Sequence, residues 1–262
     1  MQEKDDVKKS IEGLVRLGYL AKGVVYILVG VLAFRVAAGM RGGRITDPGG
    51  ALHVVLRQPF GQALMILIAV GLLAYAGWRI AGAIFGWHER NEPMFSRGLT
   101  IVKALVYGAV GVKAMKLALG LRGGDSGPEP LVRAALNWPY GDWMILLAGI
   151  GAGWYGIVQI REAIQGRLER DLDASTLRHC AGSWAIPTAR AGIGARGVLL
   201  VLLAIGVVRA GMIRRASEAA GLDGALWVLN TMPNGNLLLG AAAAGLLAYG
   251  IYQLLHARYA HV

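Results

Sequence analysis

The stretch RLGYLAKGVVYILVGVLAFR, residues 16–35, is apolar apart from a basic residue at its first, seventh and last positions. The same pattern recurs in RGLTIVKALVYGAVGVKAMK at 97–116 and in RAGIGARGVLLVLLAIGVVR at 190–209. Drifting composition would not keep this register, so the chain contains a threefold internal repeat. The nine basic residues of the repeat are Arg16, Lys22 and Arg35, then Arg97, Lys103 and Lys116, then Arg190, Arg196 and Arg209.

Composition favours a membrane protein. Of the 262 residues, 55% are hydrophobic and only 16% are charged, whereas soluble domains average about 25% charged residues. The formal net charge is +11, but the cations lie at the edges of apolar blocks, where positive-inside topology and anionic lipid explain many of them. The sequence shows no aromatic and basic platform, so nucleic acid is not expected as a partner, whereas anionic membrane lipids are.

Six apolar blocks follow one another, each near the roughly 20 residues that a bilayer span requires. They cover residues 18–39, 62–86, 99–120, 142–162, 192–212 and 236–256. The predicted fold is therefore an all-α integral membrane protein, with six transmembrane helices in three tandem two-helix repeats. The third block is the weakest, because it contains Lys103 and Lys113. Closure of the repeats around a pseudo-threefold axis would place matched residues in rings.

The predicted organisation has five segments. They are a charged N-terminal tail at 1–13, repeat 1 at 14–90, repeat 2 at 91–165, a cytoplasmic connector at 166–187 and repeat 3 at 188–258. With the N-terminus inside, 16 Lys and Arg residues lie on the inner side and 11 on the outer side. This bias favours cytoplasmic N- and C-termini.

The second helix of each repeat has its own signature. It follows a Pro-x-Gly sequence beginning at Pro59, Pro139 or Pro233, and a short segment at 51–56, 131–136 or 225–229 before it predicts a small interfacial helix. Glycine, tyrosine and a polar residue then occur in steps of four, which keeps them on one helical face. We expect this stripe to face protein, since its polar groups require hydrogen-bond partners. Its polar members are Tyr75 and Arg79, Tyr155 and Gln159, and Tyr249 and Gln253.

The basic triplets have two interpretations. Long side chains that reach headgroups would anchor each helix through lipid phosphates. Alternatively, a ring formed by Lys22, Lys103 and Arg196 would attract anions to a shared axis, and the polar stripe would line the same pathway. Lys22 and Arg35 are roughly 20 Å apart along a helix and some 140° apart around it, so they need not face one cavity. The stripe also has a structural interpretation, as interhelical hydrogen bonds that hold the bundle.

Other chemistries have little support in the sequence. The five histidines form no convincing metal spacing beside a carboxylate, and the single cysteine, Cys180, cannot form an intrachain disulfide. No nucleophile elbow, phosphate loop or dinucleotide fingerprint stands in a suitable context. We therefore expect no catalytic residues, no metal and no cofactor, and a protein that is not an enzyme.

The run from Arg16 to Tyr26, with Pro59-Phe60-Gly61 and the segment from Gly71 to Arg79, resembles the bacterial membrane family catalogued as domain of unknown function 1206. The resemblance covers nearly the whole chain and implies three tandem copies of a two-helix unit in the bacterial inner membrane. The third copy departs from it, with Leu200 where Tyr26 and Tyr107 stand. The family implies no activity.

The sequence is compatible with two functions. One is a channel or carrier for a small anionic solute. The other is a non-transporting module that binds anionic lipid or a partner membrane protein, in an assembly or scaffold role. The sequence does not specify a homo-oligomeric state.

Overall fold

The computed structural model describes the backbone of residues 2–85, 94–121, 127–166 and 184–259, and the side chains of residues 13, 16–82, 104–121, 127–166 and 184–258. These residues form α-helices and one 3₁₀ turn, and they include no strand. The helices are α1 (Gln2–Ala37), α2 (Pro48–Leu56), α3 (Gly61–Phe85), α4 (Met94–Ala118), α5 (Glu129–Leu136), α6 (Gly141–Gln165), α7 (Ala185–Ile213), α8 (Leu222–Thr231) and α9 (Gly235–Tyr259).

Five helices in the described part of the chain are long and apolar enough to cross a membrane. Their apolar portions are Arg16–Ala37, Gly61–Gly82, Gly141–Gln165, Ala185–Ile213 and Gly235–Arg258. Five of the six predicted spans are thus found as apolar helices. The third predicted span forms α4, a helix of 25 residues, whose side chains the structure describes only from residue 104 onward.

The three short helices predicted before the Pro-x-Gly sequences are confirmed as α2, α5 and α8. The segment 1–13 that the sequence assigns to a charged tail is helical from Gln2 and continues into α1. Most of the predicted connector at 166–187 lies outside the described residues.

Each Pro-x-Gly sequence forms the same junction. Its central residue has a left-handed backbone, with φ of 62° at Phe60, 66° at Tyr140 and 60° at Asn234. The glycine that follows begins the long helix, and a Cβ there would collide with a backbone carbonyl of the preceding short helix, that of Val55, Ala135 or Asn230. Only glycine fits such an approach, which explains why the motif recurs at the same place in each repeat.

Backbone contacts divide the chain into two compact units. Unit 1 comprises Met1–Val24, Leu52–Gly124 and Gln253–Val262. In it, α1 packs on α3 with little space between the backbones, because a Cβ on Gly18 would lie 2.9 Å from the carbonyl oxygen of Gly71. On another side of α3, Gly111 of α4 packs against Leu73, with 3.0 Å between the added Cβ and Cγ. Small residues thus set the helix separations.

Unit 2 comprises Val25–Ala51 and Asp125–Tyr252. Its α6 and α7 meet at Gly156 and Gly197, where a Cβ on either glycine would lie 2.8 Å from the carbonyl oxygen of the other. In the same unit Gly192 of α7 lies against the backbone of Tyr249 in α9, and Gly30 of α1 packs on Leu247. These glycines bring polar side chains of neighbouring helices within reach of one another.

Candidate functional site

The middle cation of the first triplet, Lys22, is inside the protein. Its side chain lies on α1 in unit 1 and is only 6% exposed. The ammonium nitrogen is 4.6 Å from the ring centroid of Tyr107 on α4 and 5.4 Å from that of Tyr75 on α3. Each such cation–π contact contributes about 0.5–2 kcal/mol, and burying a lysine within a membrane span is costly. The two rings therefore offset part of the cost of the charge.

A second cation, Arg79, contacts the same aromatic cluster. Its Nη2 donates a hydrogen bond to the hydroxyl of Tyr19 at 3.2 Å, and its Cζ is 5.4 Å from the ring centroid of Tyr75. The buried Nε of Arg79 has no hydrogen-bond acceptor among the described residues. Lys22 and Arg79 thus reach one tyrosine, Tyr75, which is itself 1% exposed.

Aromatic contacts connect the cluster. The ring of Tyr19 is 5.2 Å from that of Tyr75, which is in turn 5.4 Å from Tyr107, both in edge-to-face geometry. The imidazole of His256, near the end of α9, lies 4.4 Å from the Tyr19 ring. We call this set in unit 1 the Lys22 site; its members are Tyr19, Lys22, Tyr75, Arg79, Tyr107 and His256.

The Lys22 site is electropositive. It holds an ammonium and a guanidinium group, and no side chain that the structure describes in unit 1 is an aspartate or a glutamate. Ammonium, guanidinium and phenol groups are all hydrogen-bond donors. A group of such donors in a low-dielectric setting can bind an anion, by charge-assisted hydrogen bonds.

Unit 2 contains a counterpart, which we call the Arg196 site. Arg196 of α7 directs Nε at the hydroxyl of Tyr26, 3.4 Å away, and its Cζ is 5.0 Å from the ring centroid of Tyr249. The rings of Tyr26 and Tyr249 are 4.8 Å apart in edge-to-face geometry. In the repeat register, Arg196 is the equivalent of Lys22 and Tyr249 of Tyr75.

The third copy of this arrangement is incomplete. In the repeat register, the equivalents of the cation and the first tyrosine are Lys103, whose side chain lies outside the described residues, and the half-buried Tyr155 of unit 2. The second tyrosine is replaced by Leu200. In unit 2 this face of α7 packs closely on α6 through Gly156 and Gly197 instead.

The outer cations of the triplets occupy different surroundings from the middle ones. Arg16, Arg35, Lys116 and Arg209 are exposed. The side chains of Arg35 and Arg209 have local partners, the carbonyl of Arg41 and the carboxylate of Glu218 at 3.6 Å. Arg97 lies outside the described side chains. In the first triplet, the middle cation Lys22 is therefore buried, whereas the outer cations Arg16 and Arg35 are exposed.

Arg190 caps the C-terminal end of α6. Its Nε and Nη2 donate hydrogen bonds to the carbonyls of Ala163 and Ile164, at 2.7 and 2.6 Å. These carbonyls lie in the last turn of α6, where no later N–H group of the helix is present to donate to them. A cation there also complements the negative end of the helix dipole.

The polar stripe lies largely inside the protein. Tyr75, Tyr249, Gln159 and Gln253 are each at most 4% exposed, and Tyr155 and Arg79 are half-buried. Both amide atoms of Gln159 and the amide oxygen of Gln253 are buried without a hydrogen-bond partner among the described residues. Such groups are uncommon in native proteins and mark places where water or a ligand binds.

Sequence reasoning omitted several members of these sites. Tyr26 and Tyr107 were assigned no role, although each stands four residues after a middle cation, and Tyr19 stands three residues before one. Steps of three and four place them on the cation's helical face, which is a signal that the sequence does contain. The sequence gives no role to His256, and its approach to Tyr19 follows only from the packing of α9 on α1 in unit 1.

Apolar helices, tandem repeats and buried cation–tyrosine clusters define a membrane-embedded helical repeat protein. The chain belongs to the family described as Domain of Unknown Function (DUF1206), whose sequence profile matches residues 17–86, 100–166 and 191–260. This confirms the resemblance seen in the sequence and its three tandem units. The chain is 32% identical over 262 residues to the uncharacterized protein YxxB of Bacillus subtilis (strain 168), covering 99% of this chain and 94% of the relative. No solved structure matches the chain.

Proposed function

We propose that this protein is a channel or carrier for a small anionic solute and that the Lys22 site binds the solute during its passage. The observation that carries the proposal is the burial of Lys22 within an apolar span, on a tyrosine that Arg79 also contacts. Ionisable residues within a membrane span face the protein interior or a hydrated cavity and mark solute pathways. Two cations that share one aromatic cluster favour an anion as the solute.

The proposal includes a membrane arrangement. All six long helices cross the inner membrane of a bacterium, with both termini in the cytoplasm, and the protein is not an enzyme. Support for α4 as the sixth span comes from its length, since α3, α4, α6 and α9 each have 25 residues, and from its packing on α3 through Gly111. A pseudo-threefold arrangement of the three repeats stays a prediction.

A second candidate is a non-transporting module that binds anionic lipid or a partner membrane protein. The exposed Arg16 is compatible with it, as are the exposed tryptophans Trp143 and Trp227, at 63% and 59%. Basic residues and tryptophan at the membrane interface are typical of lipid contact. These residues would serve equally well to anchor a transporter, so they do not favour the module over transport.

The test is anion flux in liposomes of zwitterionic lipid that contain the purified protein, with chloride and acetate as the probes. We expect the wild type to pass at least one of the two anions and Lys22→Gln to reduce the rate at least tenfold. Lys116→Gln is the matched control, because it removes the same charge at an exposed position and should leave the rate unchanged. Circular dichroism checks that each variant keeps its helices.

Two results would overturn the transport proposal. One is a wild-type rate equal to that of protein-free liposomes, and the other is an equal loss in Lys22→Gln and Lys116→Gln. If the protein passes neither probe but binds vesicles of anionic lipid, and Arg16→Gln weakens this binding, then the module is the better description.

A further inference from the structure

We propose that the Arg196 site of unit 2 is a second anion site, selective for oxyanions such as a carboxylate or a phosphate group. This inference rests on the proposed function, in that the Lys22 site is taken to bind an anion. It adds a separate site, a ligand class and a number of bound anions.

The same arrangement of one cation and two tyrosines occurs in both units. In unit 1 the cation of the first repeat lies against Tyr75, on the second helix of its own repeat, and Tyr107, on the first helix of the next repeat. In unit 2 the cation of the third repeat lies against Tyr249, again on the second helix of its repeat, and Tyr26, on the first helix of repeat 1. The two clusters therefore use equivalent positions in cyclic order. A cation and two tyrosines thus meet at repeat-equivalent positions in both units.

The two sites differ in their cation, which is Lys22 in unit 1 and Arg196 in unit 2. Lysine offers a compact point charge, whereas the guanidinium of arginine is a planar fork whose donors match the paired oxygens of a carboxylate or phosphate. The guanidinium of Arg196 packs against two neighbouring rings, with Cζ 5.0 Å from the centroid of Tyr249 and 5.9 Å from that of Tyr26. A fixed fork discriminates by shape, so this site should prefer an oxyanion to a halide.

Unit 2 also contains a buried amide next to the residue that follows Arg196. Gln159 of α6 packs next to Gly197, the residue that follows Arg196, with its Cβ 3.2 Å from the position of an added Cβ. The side chain is 3% exposed, and neither its Nε2 nor its Oε1 has a hydrogen-bond partner among the described residues. An N–H donor left open in the interior of unit 2 is suited to the oxygen of a bound anion.

The number of sites follows from the third copy. Leu200 removes one tyrosine from the equivalent cluster, and the backbones of α6 and α7 approach closely at Gly156 and Gly197. The protein should therefore bind two oxyanions and not three.

The test counts bound anions by isothermal titration of the delipidated protein in a neutral detergent, with acetate and inorganic phosphate as the probes and chloride as the competitor. We expect two sites in the wild type, one in Arg196→Gln, one in Lys22→Gln and none in the double variant. Arg209→Gln, which removes an exposed arginine of the same helix, should retain two sites. A wild type with no site or one site, or an Arg196→Gln variant with two, would overturn the proposal.

A conservative variant separates ligand recognition from folding. Arg196→Lys keeps the charge but removes the planar guanidinium, so the variant should retain two sites. At one of them, the ratio of oxyanion affinity to chloride affinity should fall about tenfold. An unchanged preference would contradict the assigned selectivity. Repeating the titration in nanodiscs of anionic lipid identifies the source of the anion, since competition by lipid indicates a headgroup phosphate and its absence a soluble anion. Binding without flux would remove the transport proposal and leave this site in place.

Discussion

Replacing Tyr75 with leucine should destabilise unit 1 by at least about 2 kcal/mol. The Tyr75 ring makes edge-to-face contacts with Tyr19 and Tyr107, at 5.2 and 5.4 Å, and lies 5.4 Å from both the Lys22 ammonium and the Arg79 guanidinium. Aromatic pairs of this kind contribute about 0.5–1.5 kcal/mol each and cation–π contacts about 0.5–2 kcal/mol each. Leucine keeps most of the apolar burial, so the loss reports on the ring contacts.

The measurement is the free energy of unfolding in mixed detergent and SDS micelles, followed by far-UV circular dichroism. Tyr75→Phe keeps all four ring contacts and should cost only about 1 kcal/mol, the value of a hydroxyl hydrogen bond. Trp143→Leu removes a larger ring at a position that is 63% exposed and should change the free energy little. If Tyr75→Leu cost no more than Trp143→Leu, the ring contacts would not be a source of stability and the reasoning would be refuted.

Three further predictions concern backbone packing. Gly197→Ala places a Cβ 2.8 Å from a carbonyl oxygen of α6, so its unfolding free energy should fall by about 1–3 kcal/mol, whereas Gly151→Ala, with nothing within 4 Å, should be neutral or stabilising. Arg190→Met removes two hydrogen bonds to the last turn of α6, and hydrogen exchange measured by mass spectrometry should rise in that turn while the centre of the helix stays protected. Phe60→Gly relieves a left-handed backbone at a residue whose side chain is 86% exposed. It should stabilise the protein by about 1 kcal/mol and so raise its melting temperature. A lower melting temperature would show that the contacts of the Phe60 ring stabilise the protein by more than the backbone strain destabilises it.

The regular part of the fold could be read from the sequence because it depends on local patterns. Apolar block length predicted five of the apolar helices, and turn-forming residues predicted the short helices α2, α5 and α8. The Pro-x-Gly sequences also act locally, since the collision that makes their glycine necessary involves a carbonyl about six residues earlier. The repeat register supported α4, which corresponds to the weakest of the six apolar blocks.

The sites were only half predictable. The sequence selected Lys22, Tyr75 and Arg79 by their repeated spacing, yet it could not tell a buried cation from a lipid-facing one. Burial depends on the rotation of a helix about its axis, and neighbouring helices set that rotation. Arg190 illustrates the limit. It occupies the same repeat position as Arg16, but its side chain donates hydrogen bonds to carbonyls in the last turn of α6.

By itself, the sequence determined the class of protein, the three tandem repeats and the residue types at each repeated position, because these follow from composition and from spacing along one chain. Tertiary structure decided which cations became interior and which tyrosines they meet. In unit 1, Lys22 of α1 lies against Tyr107 of α4, three helices further along the chain. In unit 2, Arg196 of α7 lies against Tyr26 of α1. Contacts between residues so far apart in sequence depend on how close the helices come, and glycines such as Gly18 and Gly192 set that distance only once the helices have packed.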